Sequence, residues 1–206
     1  MRSVTASASE RIGKAKDGRR AWRERNRNAV VDALLDLYED GVLNPGAQEV
    51  AAQSGVSRRS VFRYFDDMDE LCRTAIERHS ARVSHLFEVE SLGEGPVTDR
   101  IDRLVEQRTN LFEAIAPVRR IAQLRAPFQP IIATELDGAR KLLRRQLEQQ
   151  FALELDQLEA EERDETLAVM DVLASFESFD LLRRVQGLNF AHAADAMRHG
   201  LRALIG

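Results

Sequence analysis

Apolar residues along this chain recur at three- and four-residue spacing, with polar residues filling the positions between them. That is the period of a helix with one buried face, and it predicts helices nearly throughout. Ala29, Val30, Ala33, Leu34 and Leu37 form one such stripe, and Gly41 is placed to end it. A short helix over Ala47–Ser54 follows, then Gly55, then a second short helix to about Phe65. A fourth helix is expected after Asp67, where Asp67 and Glu70 have capping-box spacing, and is expected to reach about Phe87. Ser91–Pro96 breaks the pattern and reads as the loop between an N-terminal and a C-terminal region. Beyond it, Pro117, Pro127 and Pro130 are expected to punctuate the helices, and Ile132, Leu136, Ala139, Leu143 and Leu147 mark a long one. Glu161–Asp164 reads as a charged turn before the last two helices. No stretch alternates as a strand series would, so the fold class is all-α.

The stretch from Ala47 to Phe65 carries the most specific pattern. Two short helices that cross steeply need particular residue types where they touch. Val50 and Val61 supply apolar bulk, and Ala51 is small enough for a close approach. Gly55 stands in the turn, where a positive φ favours glycine. Val56 plugs the corner, and Ser57 is a good N-cap for the second helix. This is the outline of a helix-turn-helix.

Composition adds little until it is read by position. The chain has 206 residues, 44% of them hydrophobic, and a net charge of −4. An acidic total argues against a nucleic-acid partner, but Met1–Arg27 holds nine Lys/Arg against three Asp/Glu. A basic end on an acidic body fits a DNA-facing surface, and equally a solvated arm with no partner. No run approaches the roughly 18 apolar residues of a membrane span. Met1–Arg20 has no signal-peptide layout, and the single Cys72 cannot form an internal disulfide, so a cytoplasmic location is expected.

The polar face of the second short helix then becomes informative. Ser57, Arg58, Arg59, Ser60 and Arg63 cluster there with Tyr64 beside them, and Gln53–Phe65 contains no Asp or Glu. The N-terminal residues of such a helix meet base edges in the major groove, where arginine pairs bidentately with guanine. Ser57 and Tyr64 suit phosphate oxygens. A plain helical hairpin with a charged surface has no need for this combination.

From about Arg25 to Arg82 the sequence resembles the TetR family of bacterial regulators. The likeness rests on the first helix, the Gly55-Val56-Ser57 turn, the Phe62-Arg63-Tyr64-Phe65 end and the Asp69-Glu70-Leu71 opening of the fourth helix. The resemblance implies a transcriptional regulator, most simply a repressor released from its operator by a small molecule. Its partners would be duplex DNA with a palindromic operator, a second copy of itself and an unidentified effector. By position, Gln48, Arg58, Arg59 and Phe62 are implied to read bases, and Ser57, Ser60 and Tyr64 to touch phosphate. Arg19, Arg20, Arg23 and Arg25 of the basic arm could add backbone or minor-groove contacts. Three positions depart from the family pattern: Gly46 where many relatives have threonine, Phe62 for a tyrosine, and Met68 for a lysine, amid Asp66, Asp67 and Asp69. The expected division is a flexible arm over 1–20, a DNA-binding domain over 21–67 and a regulatory and dimerisation domain over 68–206.

The C-terminal helices look too broadly apolar for one contact. Phe190, Met197, Leu201 and Leu204 line one face of the last helix, and Ala193, Ala196, Gly200 and Ala203 form a small-residue stripe. The preceding helix carries Leu167, Met170, Val172, Leu173 and Phe176. Periodicity leaves open whether both faces pack within one subunit; the resemblance implies a dimer, with Leu167, Met170, Phe190, Ala193, Met197, Gly200 and Leu204 at the interface. It also implies an effector pocket among the middle helices, for which His85, Phe87, Phe112, Gln123, Phe128 and Phe176 are candidates, with Leu111, Ile115, Leu124 and Ile132 beside them. Metal-site spacing, nucleophile elbows and phosphate-cradling glycine loops are absent from the sequence, so neither catalysis nor a cofactor is expected. The competing readings are a same-fold activator, a regulator that senses nothing, and a helical enzyme or carrier whose helix-turn-helix is only a scaffold.

Overall fold

In a computed structural model the backbone is described for residues 8–206 and side chains from residue 18 onward. The described residues are helical with no strand, as the periodicity predicts. They divide into two compact units, Met1–Arg78 and His79–Gly206. The division falls inside a helix rather than at 67/68 or in the 91–96 loop.

The first unit contains α1 (Ala8–Glu39), α2 (Ala47–Ser54), α3 (Arg58–Tyr64) and most of α4 (Met68–Val83). Helix α1 starts well before its apolar stripe, so residues 8–20, expected as a flexible arm, are its first turns; Met1–Ser7 lie outside the described residues. Its C-terminal half buries Val30, Leu34 and Tyr38 against α2, α3 and α4. Gly41 ends it at φ 84°. The Gly41 N–H donates to Tyr38 O (3.0 Å) and Val42 N–H to Leu37 O (2.9 Å), the paired bonds of a Schellman cap. On α4, the Arg78 guanidinium donates to Asn28 O and Asp32 Oδ1, both at 3.2 Å, and holds that helix to α1. The expected cap at the start of α4 is present in shifted form. Glu70 N–H donates to Asp67 Oδ1 (2.7 Å), but the Glu70 carboxylate reaches back to Asp66 N–H (2.7 Å) instead of Asp67.

The second unit continues with α5 (Val97–Arg125), α6 (Pro130–Gln150), α7 (Ala152–Leu155), α8 (Ala160–Leu173), α9 (Phe176–Asp180) and α10 (Phe190–Ile205). A 3-10 turn over Ser84–Phe87 and a π turn over Leu181–Val185 complete it. Pro117 lies inside α5 and does not end it. Its missing N–H costs one ladder bond, and packing of the flanking Ala116 and Val118 keeps the helix continuous. Pro130, by contrast, opens α6, where a missing donor costs nothing. Glu161–Asp164 is not a turn but the start of α8, because Glu161 and Glu162 complement the positive end of the helix dipole.

Leu104, Phe112, Leu147, Met170, Met197 and Leu201 belong to one core shared by α5, α6, α8 and α10. Leu167, Met170, Ala193 and Met197, expected at a dimer interface, are therefore buried within their own subunit. Gly200 serves the same packing, since a Cβ there would lie 3.0 Å from Leu173 Cδ1. Five of the seven residues expected at the interface thus pack within the subunit. Phe190 packs edge-on against Phe179 (centroids 6.3 Å apart) and, like Leu204, stays partly exposed.

Candidate functional site

The helix-turn-helix takes the form its residues predict. Val50, Ala51 and Val61 are buried between α2 and α3, and Gly55 turns the chain at φ 70°. Ser57 caps α3: its Oγ accepts from Ser60 N–H at 3.1 Å and pairs with Ser60 Oγ at 3.0 Å. That cap fixes the α3 N-terminus and leaves its first turn pointing outward.

Gln48, Ser57, Arg58, Arg59, Phe62 and Arg63 are exposed, and Ser60 is half-buried. Among the described residues, no carboxylate lies within 4.0 Å of Arg58, Arg59 or Arg63. Arg58 lies over the Phe62 ring at 5.8 Å, which holds both side chains out on the same ridge. Arg59 makes no hydrogen bond or ion pair among the described residues, so none of them competes for it.

Tyr64 departs from the expected phosphate role. Its ring is buried, and its hydroxyl oxygen accepts from Arg63 Nη2 (2.9 Å) and Asn26 Nδ2 (3.4 Å). Burial pushes the phenol up. Those two hydrogen bonds and the charges of Arg63 and Arg23 outweigh it and hold the group below its ordinary value. Tyr64 therefore ties the end of α3 to α1. The same contact brings the Arg23 charge toward the reading helix, and Arg19, Arg20 and Arg25 are exposed on the same stretch of α1. Gly46 offers less than expected, because its N–H already donates to Glu49 Oε2 at 2.8 Å. As glycine has no side chain to reciprocate, this is half a capping box.

The second unit has a half-open cavity of about 460 Å³ between α5, α6, α8 and α9. That is within the roughly 300–1,000 Å³ of small-molecule sites. Phe87, Phe112 and Phe176 line it, as does Ile115. His85 lies instead in a separate depression with Glu88, Glu90 and Arg103. Gln123 meets the cavity wall only through Glu177, to whose Oε1 it donates at 2.8 Å. Phe128 projects from the turn after α5, 84% exposed, and Leu124 is also exposed.

The charged wall residues, Arg119, Arg140, Asp171 and Glu177, were not foreseen. A signal for one of them existed: Arg119 continues the apolar stripe Phe112–Ile115 at helical spacing, so a cation stands where a core residue is due. Burial pushes the Arg119 guanidinium down, offset in part by Glu177. Burial would push Glu177 up, but its hydrogen bond from Arg140 and the nearby Arg119 charge hold it below the ordinary carboxylate range.

A capped, acid-free α3 in a small N-terminal unit is followed in sequence by a larger all-helical unit with a half-open cavity. Solved structures share this fold. A TetR-family transcriptional regulator from Streptomyces coelicolor superposes with a TM-score of 0.67 at 22% identity, over 88% of this chain and 80% of that one. A transcriptional regulator from a Rhodococcus species gives 0.62 at 18% identity, over 88% and 95%. Among curated proteins, the HTH-type transcriptional repressor LfrR of Mycolicibacterium smegmatis is 35% identical over 92 residues. That match takes in 43% of this chain and 47% of the repressor, so the chain aligns with about half of the relative's length. No family model matches the chain. No described helix is long and apolar enough to cross a membrane.

Proposed function

We propose that this protein is a sequence-specific DNA-binding transcriptional regulator of the TetR family, a repressor that acts as a homodimer and leaves its operator when a small molecule occupies the α5–α9 cavity. One observation carries the reading: the outward ridge of Arg58, Arg59, Phe62 and Arg63 has no carboxylate among the described residues within 4.0 Å. A scaffold helix gains nothing from three arginines without an acidic partner, whereas a groove reader needs their charges unneutralised before DNA arrives. Arg20 and Arg23 of α1 supply sequence-independent attraction to phosphate. The likeness to a named transcriptional repressor supports the direction of regulation.

Dimerisation is supported by apolar surface left over after the subunit core is filled. Val169 and Val172 of α8 are 48% and 64% exposed, and Leu204 of α10 remains 38% exposed. A second copy placed there would bury them and bring two copies of α3 into one assembly, as an operator with two half-sites requires. The division of labour is then DNA binding in the first unit and sensing and pairing in the second.

Selection from a random duplex pool at fixed salt tests the proposal. A palindromic winner with half-sites about one helical turn apart is expected. Recovery of no preferred sequence, with binding that only tracks ionic strength, would refute it. Sedimentation velocity at micromolar concentration should give twice the 23.3 kDa chain mass, and a clean monomer would remove the dimer.

A further inference from the structure

The cavity's walls are apolar on one side and charged on the other, and one of the wall cations, Arg119, is poorly matched. Arg119 is nine-tenths buried at the cavity, with its guanidinium 5.7 Å from the centre of the Phe176 ring. Its Nη2 stands 3.6 Å from Glu177 Oε1, an ion pair too long for a hydrogen bond, and its buried Nε has no hydrogen-bond partner. Glu177 Oε1 is already committed elsewhere, accepting from Arg140 Nη2 at 2.6 Å and Gln123 Nε2 at 2.8 Å.

The other acid at the wall, Asp171, accepts from Arg144 Nη1 at 3.2 Å. Its charge also offsets Arg108, a fully buried cation whose hydrogen-bond acceptors are all neutral: Gln107 Oε1 (2.6 Å), Leu143 O (2.9 Å) and Gln146 Oε1 (3.0 Å). Both wall acids are thus held by other donors, and Arg119 keeps one long ion pair and no hydrogen bond among the described residues. A buried cation with unused donors is costly, and an anion arriving beside it is correspondingly favoured.

We propose that the cavity takes an amphipathic organic anion, a carboxylate carried on an aromatic or alkyl body. The carboxylate accepts from the Arg119 Nη groups and from Arg140, while the apolar body lies among Phe87, Phe112 and Phe176. A cationic ligand would be repelled by Arg119, and a neutral one would leave its charge as weakly offset as before. Glu177 is the internal competitor, because the incoming carboxylate takes over part of its claim on Arg140. This inference rests on the reading of the cavity as the regulatory site and adds the class of molecule that fills it.

Three isosteric probes separate the possibilities: naphthoate, naphthylmethanol and naphthylmethylamine, titrated into the full-length protein by calorimetry. Naphthoate should bind at least roughly tenfold more tightly than the alcohol, with the amine weakest. Arg119→Gln should abolish that preference while leaving alcohol binding within about twofold, Arg140→Gln should reduce it, and Glu177→Gln should strengthen naphthoate binding. A thermal melt of each variant checks folding, and Arg140, which is exposed, keeps the test available if Arg119→Gln fails to fold. A preference for the amine, a carboxylate preference that survives both arginine substitutions, or no binding by any probe would overturn the proposal. Adding naphthoate to the protein–operator complex separates the two readings. Arginine-dependent binding that leaves DNA affinity unchanged upholds the anion site and defeats the regulatory role. Release by the alcohol or amine but not by naphthoate does the reverse.

Discussion

Replacing Arg59 with alanine is the sharpest test of the reading helix, because the structure isolates its effect. Arg59 is exposed and bonds to no described residue, so its removal leaves no buried group unpaired. Stability should stay within about 0.5 kcal/mol of the parent, the usual range for such surface changes. The whole consequence then falls on DNA. A bidentate arginine–guanine pair discriminates by about 1–3 kcal/mol. A dimer on a palindrome makes the contact twice, so about 2–6 kcal/mol is at stake, or at least roughly thirtyfold in affinity. Fluorescence anisotropy on the selected operator, at one fixed salt concentration, reads this directly. Operators substituted at each symmetric position should show the variant indifferent at one base pair per half-site where the parent is selective. Unchanged affinity with an unchanged base preference would mean that α3 does not read DNA through Arg59, and the assignment of the ridge would fall with it.

Other expectations follow from individual residues. Arg20→Ala should weaken binding to all sequences alike and lower the salt slope by roughly one for each bound copy; a sequence-selective loss would contradict a phosphate role. Gly55 stands at φ 70° with nothing near its Cβ direction, so Gly55→Ala should cost about 1–2 kcal/mol in urea melts through backbone strain alone, and Gly55→Asn less. His79 is held below its usual value of 6.5 by burial and by Arg82, and its buried Nε2 has no partner. The unfolded chain therefore takes up a proton that the folded chain refuses as pH falls through 6.5, and stability should decline below that pH until the depressed folded value is passed. His79→Gln should flatten that part of the stability–pH curve; equal slopes would show that His79 is not the group responsible.

Much of the reading unit was legible in the sequence because its signals are local. A serine at an N-cap, a glycine at positive φ and an apolar stripe at helical spacing act within a few residues of themselves, so Ser57, Gly55 and the α1 stripe need no knowledge of distant neighbours. Tyr64 was misjudged for the opposite reason. Its place beside Arg63 groups it with the polar face, and only the packing against α1, where its hydroxyl meets Asn26, shows its ring turned inward. Pro117 and Glu161–Asp164 show the same limit at the level of elements, since local breakers and charges yielded to packing and to the helix dipole.

By itself the chain's sequence determined that the fold is helical, where the helix-turn-helix lies and which face of α3 is free of acids, all consequences of residue type and short spacing. The tertiary structure alone decided which apolar stripes close on their own subunit and which cations end up sharing a carboxylate. Met170 and Met197 look as available for a partner as Val172 until the shared core closes over them, and the Arg119 position in an apolar stripe does not say that its acid comes from α9, as Glu177. Burial and charge balance are properties of neighbours brought together from far along the chain, and periodicity carries no record of which neighbours those will be.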